Sequence, residues 1–504
     1  MIHASVFRHK SPFFTTFGGK EKSGDYRVFI NGQEIDVYSC RISAYPFNRV
    51  WPGYQRAVGQ SELASFVNLV SDEEITVEVE PLTKSVEGKI MIKPYSKGIS
   101  HRVEGDKVRF TLKENGTFLF QIDDYHGLLY IFNNRPVPCE DRASVTYYFG
   151  EGVHFPGKII LRSNESIYLE PDAYVYGCVF AENAENLRIY GNGIFDDSCE
   201  ERMSEACYDP YINGNLKFYD CRKIRLEGVG YTNSALWCVN LFHCRDVVAE
   251  GINVFGQWRY NTDGIDVVNC ERIAVRNSFV HSFDDTVTVK GIDRYAPDSN
   301  RDVSVEGCTL LCDWGKTCEI GLETAAYEYA NIVFRDCDVI RGGNAVCDIQ
   351  NGDYAEVHHV LFENIRVDLE PFYTPEVLQR TEEQVYGAEK EYFTARIFSV
   401  KNNRTSTYYE ELALPETKSK RQRGDGEYAS VHHVTVKDIY VYCDEILLNR
   451  FGKDCVKVQL KNIIPTTEYG DIRVENIVLN GRRLSPEEIS ITHEGNTESS
   501  LTVI

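Results

Sequence analysis

Two different alternations of apolar and polar residues divide the chain. Between residues ~25 and ~140, "YRVFINGQEIDVYSC", "EITVEVEPL", "KVRFTLKENGTFLFQI" and "GLLYIFNNR" alternate at period two, with Gly, Pro and Asn between them. That pattern predicts antiparallel strands with one buried face, and a β-sandwich accommodates them. After residue ~145 a repeat takes over. "NLRIYGNGIF", "KIRLEGVGY", "DVVAEGINV", "RIAVRNSFV", "DVSVEGCTL", "NIVFRDCDV", "HVLFENIRV", "HVTVKDIYV" and "DIRVENIVL" share the template apolar-x-apolar-x-[Gly/Asn/Asp]-x-apolar. From Ile224 to Val360 their first core positions are spaced 23, 26, 30, 29 and 28 residues apart. Irregular periods in the twenties, filled with short strands and turns and lacking helical periodicity, predict a parallel β-helix. The expected organisation is all-β: an N-terminal antiparallel β-sandwich domain over residues 1–144 and a parallel β-helix domain over 145–504. The gap from Val360 to Val434 holds an insertion at about 370–430, with room for one short helix.

Composition narrows the function. A formal net charge of −22 over 504 residues leaves no large basic face, which excludes a general nucleic-acid binder and disfavours polyanionic partners. The start of the sequence lacks a signal-peptide pattern and no run is long and apolar enough to span a bilayer, so a cytoplasmic protein is expected. The 16 cysteines are scattered beside apolar residues and read as free thiols used as small core side chains. No metal and no cofactor is expected. Cys308, Cys312 and Cys318 lack zinc spacing, and the pairs His358-His359 and His432-His433 sit in matching "VHHV" contexts that read as one repeated structural position.

The chemistry concentrates in "YNTDGIDVVNCERIAVRNSFVHSFDDTVTVKG", Tyr260 to Gly291. Consecutive coils stack ~4.8 Å apart. Setting residues 262–267 over 284–289 pairs Ile265 with Val287 and Val267 with Val289, and it lays Asp263 on Asp285. Extended to neighbouring coils, this register gives an outward column of Asn240, Asp266, Thr288, Gly321 and Asp348, with Ile320 and Leu322 inward. A second column holds Lys290, Glu323 and Gln350. Polar side chains rising from one ladder make a groove for an extended carbohydrate chain. Crowded aspartates cannot ionise independently, so one becomes a proton donor beside carboxylates that stay charged. Strict alternation would bury Asp263 and Asp285, so the strand must bend near them. Turn-closing or ladder duty is the alternative for Asp266.

"NTDGID" followed by "DD" and "DDxxxxK" resembles the polygalacturonase family of glycoside hydrolases and the related dextranase family. "WRYNTDG" and the N-terminal β-domain are similar to the dextranase side. The resemblance implies a right-handed parallel β-helix and an inverting hydrolase. It makes Asp284 the general acid, with Asp263 and Asp285 holding the water. Substrate contacts are expected from Asn240, Trp258, Tyr260, Asn261, Asp266, Lys290, Trp314, Glu323, Asp348 and Gln350. Two family motifs are missing. "CDWGKTCEIG" has no histidine where a Gly-His-Gly stands, and "VIRGGN" at Arg341 lacks the lysine of an Arg-Ile-Lys for uronate. The expected substrate is therefore an α-linked neutral oligo- or polysaccharide. A polygalacturonase acting on uronate, a polysaccharide lyase and a non-catalytic carbohydrate-binding solenoid are the alternatives. The oligomeric state is open.

Overall fold

The computed structural model describes residues 22–43, 61–200, 214–295, 298–353, 355–370, 372–375, 390–402, 429–463 and 467–504, with the short strand His3–Ala4. The N-terminal part is a sandwich of two sheets. One joins Gln33–Ile35, Tyr26–Ile30, Ile75–Pro81, Lys107–Leu112 and His101–Glu104, all antiparallel. The other is antiparallel except where Leu129–Asn134 runs parallel to Ser61–Val70. Val28, Val67, Val77, Phe120 and Ile131 fill the space between them, as period-two alternation requires.

From Tyr147–Phe149 onward the strands form one 30-stranded sheet wound into a right-handed parallel β-helix. The sequence template is explained by its bends. The residue two places after the second apolar position of each repeat takes a left-handed conformation: Gly228, Gly251, Asn277, Gly307, Asp336, Asn364, Asp438 and Asn476 all have positive φ. Gly, Asn and Asp tolerate that region best. A second left-handed position precedes the first core residue of each repeat, at Asn186, Asp246, Asn331, His359 and His433 among others. The two "VHHV" segments therefore stack coil on coil. His358 lies over His432 with ring centroids 5.3 Å apart, and His359 over His433 at 5.1 Å.

Between Asp368 and Ala429 most of the insertion, including the expected short helix, lies outside the described residues. Within it Phe372–Pro375 pairs antiparallel with Lys390–Phe393, and Arg396–Asn402 returns to the β-helix against Ala345–Asn351.

The sandwich packs on one flank of the β-helix. Tyr38, Phe66, Tyr130 and Phe132 meet Phe255, Phe279, Leu311 and Ile340 in a single apolar cluster. Beside it runs a buried charge network. Tyr130 Oη lies 2.5 Å from His281 Nδ1, His281 Nε2 lies 3.0 Å from Asp313, and Asp313 accepts from Arg341 at 2.5 Å. Arg341 also donates to Glu370 (3.2 Å), which pairs with Lys93 of the sandwich. Asp313 and Trp314 lie directly above His281–Phe283 on the adjacent coil, so this interface abuts the aspartate coil.

Candidate active site

The register of the aspartate coil is the one expected from sequence: Ile265 pairs with Val287, Asp266 with Thr288 and Val267 with Val289, and Asn240 stands beside Asp266. Asp263 and Asp285 precede the strands Ile265–Val268 and Val287–Gly291, at bends where alternation no longer dictates direction. The Gly264 amide donates to the Asp285 carbonyl at 2.8 Å, and the Asp284 amide donates to Thr262. Two glycines permit this approach. A Cβ on Gly264 would lie 2.4 Å from the Thr286 carbonyl oxygen, and one on Gly315 would lie 2.4 Å from the Asp284–Asp285 peptide.

The column beyond this coil requires a correction. Thr288 pairs with Glu319, not Gly321, and Glu319 pairs with Asp348; Cys318 and Ile320 face inward. Leu322 is half-buried rather than core. The register shifts after Val289 and resumes at Thr324, so residues 321–323 bulge from the ladder. The outward column is Asn240, Asp266, Thr288, Glu319 and Asp348, continuing to Ser399. All six are buried.

Two lysines organise the carboxylates. Lys290 Nζ lies 3.3 Å from Asp263, 3.1 Å from Asp285, 3.5 Å from Glu323 and 4.0 Å from Asp266. Lys316, on the next coil, lies 3.4 Å from Asp285 and 3.3 Å from Glu319, and its backbone amide donates to Asp285 at 3.0 Å. Burial alone would raise the Asp285 pKa. Lys316 and Lys290 outweigh it and hold that carboxyl below the ordinary carboxylate range. Its neighbour behaves oppositely. Burial, then repulsion from Asp285, pushes Asp284 up to about 7. Burial raises Asp263 and Asp266 well above the usual range, and Asp266 adds to the rise at Asp263.

The expected contact residues differ in what they touch. Asn261 donates to Asp284 Oδ2 at 3.2 Å. Tyr260, Phe283 and Trp314 form an aromatic group beside Asp284, with Tyr260 and Trp314 half-exposed and their centroids 6.0 Å apart. Gln350 donates to Glu319 at 2.9 Å. Asn240 spends its amide on the Leu216 and Trp237 carbonyls, which is ladder duty. Trp258 is buried with the Arg41 and Arg259 guanidiniums over its ring, a packing position rather than a sugar platform. Arg341 belongs to the interface network. Lys316, Glu319 and Trp237, whose ring lies 4.9 Å from Lys290 Nζ, are site residues the sequence reading missed.

Comparison with known proteins agrees with this architecture. Residues 137–380 match the model of glycosyl hydrolases family 28. It is 25% identical over 224 residues to the polygalacturonase QRT2 of Arabidopsis thaliana, covering 42% of this chain and 47% of that protein. It is 26% identical over 118 residues to a polygalacturonase of Persea americana, covering 22% and 25%. The chain thus spans about half or less of the length of these relatives. The structure of Dex49A from Penicillium minioluteum shares the fold over 97% of this chain and 95% of its own, with a TM-score of 0.59 and 13% identity.

Proposed function

We propose that the protein is an inverting glycoside hydrolase of α-linked, neutral oligo- or polysaccharides. Asp284 is the general acid, and Asp263 and Asp285 hold the attacking water. One observation carries the reading: two adjacent carboxyls are driven in opposite directions. Asp284 keeps its proton up to a pH of about 7 while Asp285 stays ionised, which is the division of labour that acid-assisted glycoside cleavage needs. The family 28 match and the polygalacturonase relatives support the reaction class. A lyase would need one of the lysines as a base. Burial opposes their charge, yet surrounding carboxylates hold Lys290 and Lys316 well above the ordinary lysine range, so both remain ammonium ions.

Neutral sugar is favoured because those two ammonium ions are already paired with the site's own carboxylates, and Arg341 is spent at the domain interface. The half-exposed Tyr260 and Trp314 rings offer apolar faces to a sugar ring. Every described cysteine is a free thiol, and Cys443 and Cys455 lie 3.5 Å apart unbonded, which supports work in a reducing, cytoplasmic setting.

Asp284→Asn tests the assignment. Turnover of α-linked oligosaccharides should fall by ~10²–10⁴-fold, with a smaller loss on aryl glycosides whose leaving group needs little protonation. Near-wild-type turnover of an oligosaccharide by this variant would sink it.

A further inference from the structure

Within the outward column both Asp266 and Asp348 carry carboxylate oxygens with no hydrogen-bond partner among the described residues, but Asp266 still lies 4.0 Å from the Lys290 ammonium. Asp263, Asp285 and Glu319 each face a lysine within 3.5 Å, and Asp313 and Glu370 share Arg341. Asp348 does not follow suit. It is fully buried, and neither carboxylate oxygen has a hydrogen-bond partner among the described residues. The hydroxyl of Ser399, next in the column, is buried and unpartnered as well. Lys401 stands in the parallel column, opposite Gln350. It attracts Asp348 through space, but no ion pair joins the two within 4.0 Å among the described residues. Burial, together with Lys316 and Arg396, lowers the Lys401 pKa, so this ammonium is held with difficulty.

A buried carboxylate without partners costs several kcal/mol in an interior, and a fold keeps one most readily where a ligand completes its hydrogen bonds. The complement of two acceptor oxygens, a serine hydroxyl and a lysine donor is a ring bearing neighbouring hydroxyls. A uronate carboxylate placed there would confront Asp348 directly. Asp348 lies two rungs beyond Thr288, ~10 Å along the axis at the usual strand spacing, so it would meet a sugar unit removed from the cleaved bond.

Resting on the hydrolase reading above, we propose that Asp348, Ser399 and Lys401 form a subsite for a neutral hexopyranose unit of the bound chain, with Asp348 accepting hydrogen bonds from two adjacent ring hydroxyls.

The test uses the full chain carrying Asp284→Asn, so that bound sugar survives, and calorimetric titration with α-linked gluco-oligosaccharides (disaccharide and hexasaccharide) and with hexagalacturonate. Adding Asp348→Ala should weaken hexasaccharide binding by about tenfold or more and leave the disaccharide within about twofold, since buried hydrogen bonds donated to a carboxylate are worth that much. Adding Asp348→Asn, which keeps the shape, should give an intermediate loss at an unchanged Tm. The proposal is overturned if Asp348→Ala leaves the hexasaccharide unaffected, if both lengths lose equally, if hexagalacturonate binds more tightly than the neutral hexasaccharide, or if no gluco-oligosaccharide binds. Turnover by the wild-type protein is measured separately. Length-dependent binding without turnover would defeat the hydrolase reading and leave the subsite standing. Turnover with no length-dependent effect of Asp348→Ala would defeat the subsite alone.

Discussion

On the proposed mechanism Asp284 works only when protonated and Asp285 only when ionised, so the pH profile of kcat/KM reports both. As pH rises through about 7, Asp284 loses its proton and activity falls. On the acid side Asp285 stays ionised to below the ordinary carboxylate range, so activity persists there as far as the fold allows. Lys316 lowers both groups. Lys316→Met removes that positive charge, so both pKa values rise. The alkaline limb should move to higher pH and an acid limb should appear within the accessible range. A profile whose two limbs stay in place would contradict the role given to Lys316. At this scale the sequence was informative about the acids and about one of the two lysines: Lys290 was legible in "DDxxxxK", and Lys316 was not. Asp284 and Asp285 stand out as adjacent acids near valines, and the register sets Asp263 beside them. Lys316 and Glu319 sit in "GKTCEIG", a segment read for its missing histidine and for a register that put Gly321, not Glu319, in the outward column.

At the scale of elements, the ladder was legible where the loop between coils was short. Ile265 and Val267 could be set on Val287 and Val289 because only one pairing puts both pairs inward. The next coil offered two pairings. Cys318, Ile320 and Leu322 are all apolar, and a slip of two residues keeps every side chain on its own face, so alternation cannot choose between them. The bulge at residues 321–323 decides, and nothing in the hydrophobic pattern marks it. Trp258 failed for another reason: what buries it includes Arg41, a residue of the sandwich more than two hundred positions earlier. The coil-to-coil approach at Gly315 gives a direct test. Gly315→Ala brings a methyl to 2.4 Å from the peptide joining the two acids, against backbone that cannot yield cheaply. It should lower Tm and cut turnover by at least about tenfold, since small misplacements of catalytic groups are costly. Unchanged turnover would show that the acid pair is not held by this contact.

For the molecule as a whole, the sandwich and the β-helix meet through aromatic packing and one buried charge network, and Arg341 is its centre. Arg341→Leu leaves the buried Asp313 and Glu370 with less compensation, so a loss of about 3–5 kcal/mol is expected. Chemical denaturation measures it, and a loss below about 1 kcal/mol would mean the network adds little to docking. The same arginine was the sequence's nearest candidate for meeting a uronate, and its burial at the interface is one reason the account favours neutral sugar.

The central claim is that Asp284 gives a proton while Asp263 and Asp285 direct water, so no sugar is ever bonded to the protein. Proton NMR of the first product formed from an α-linked neutral oligosaccharide, recorded before mutarotation, tests it most directly. Attack by water from the opposite face gives the β-anomer first. Initial appearance of the α-anomer would contradict the account and make one of these aspartates a nucleophile.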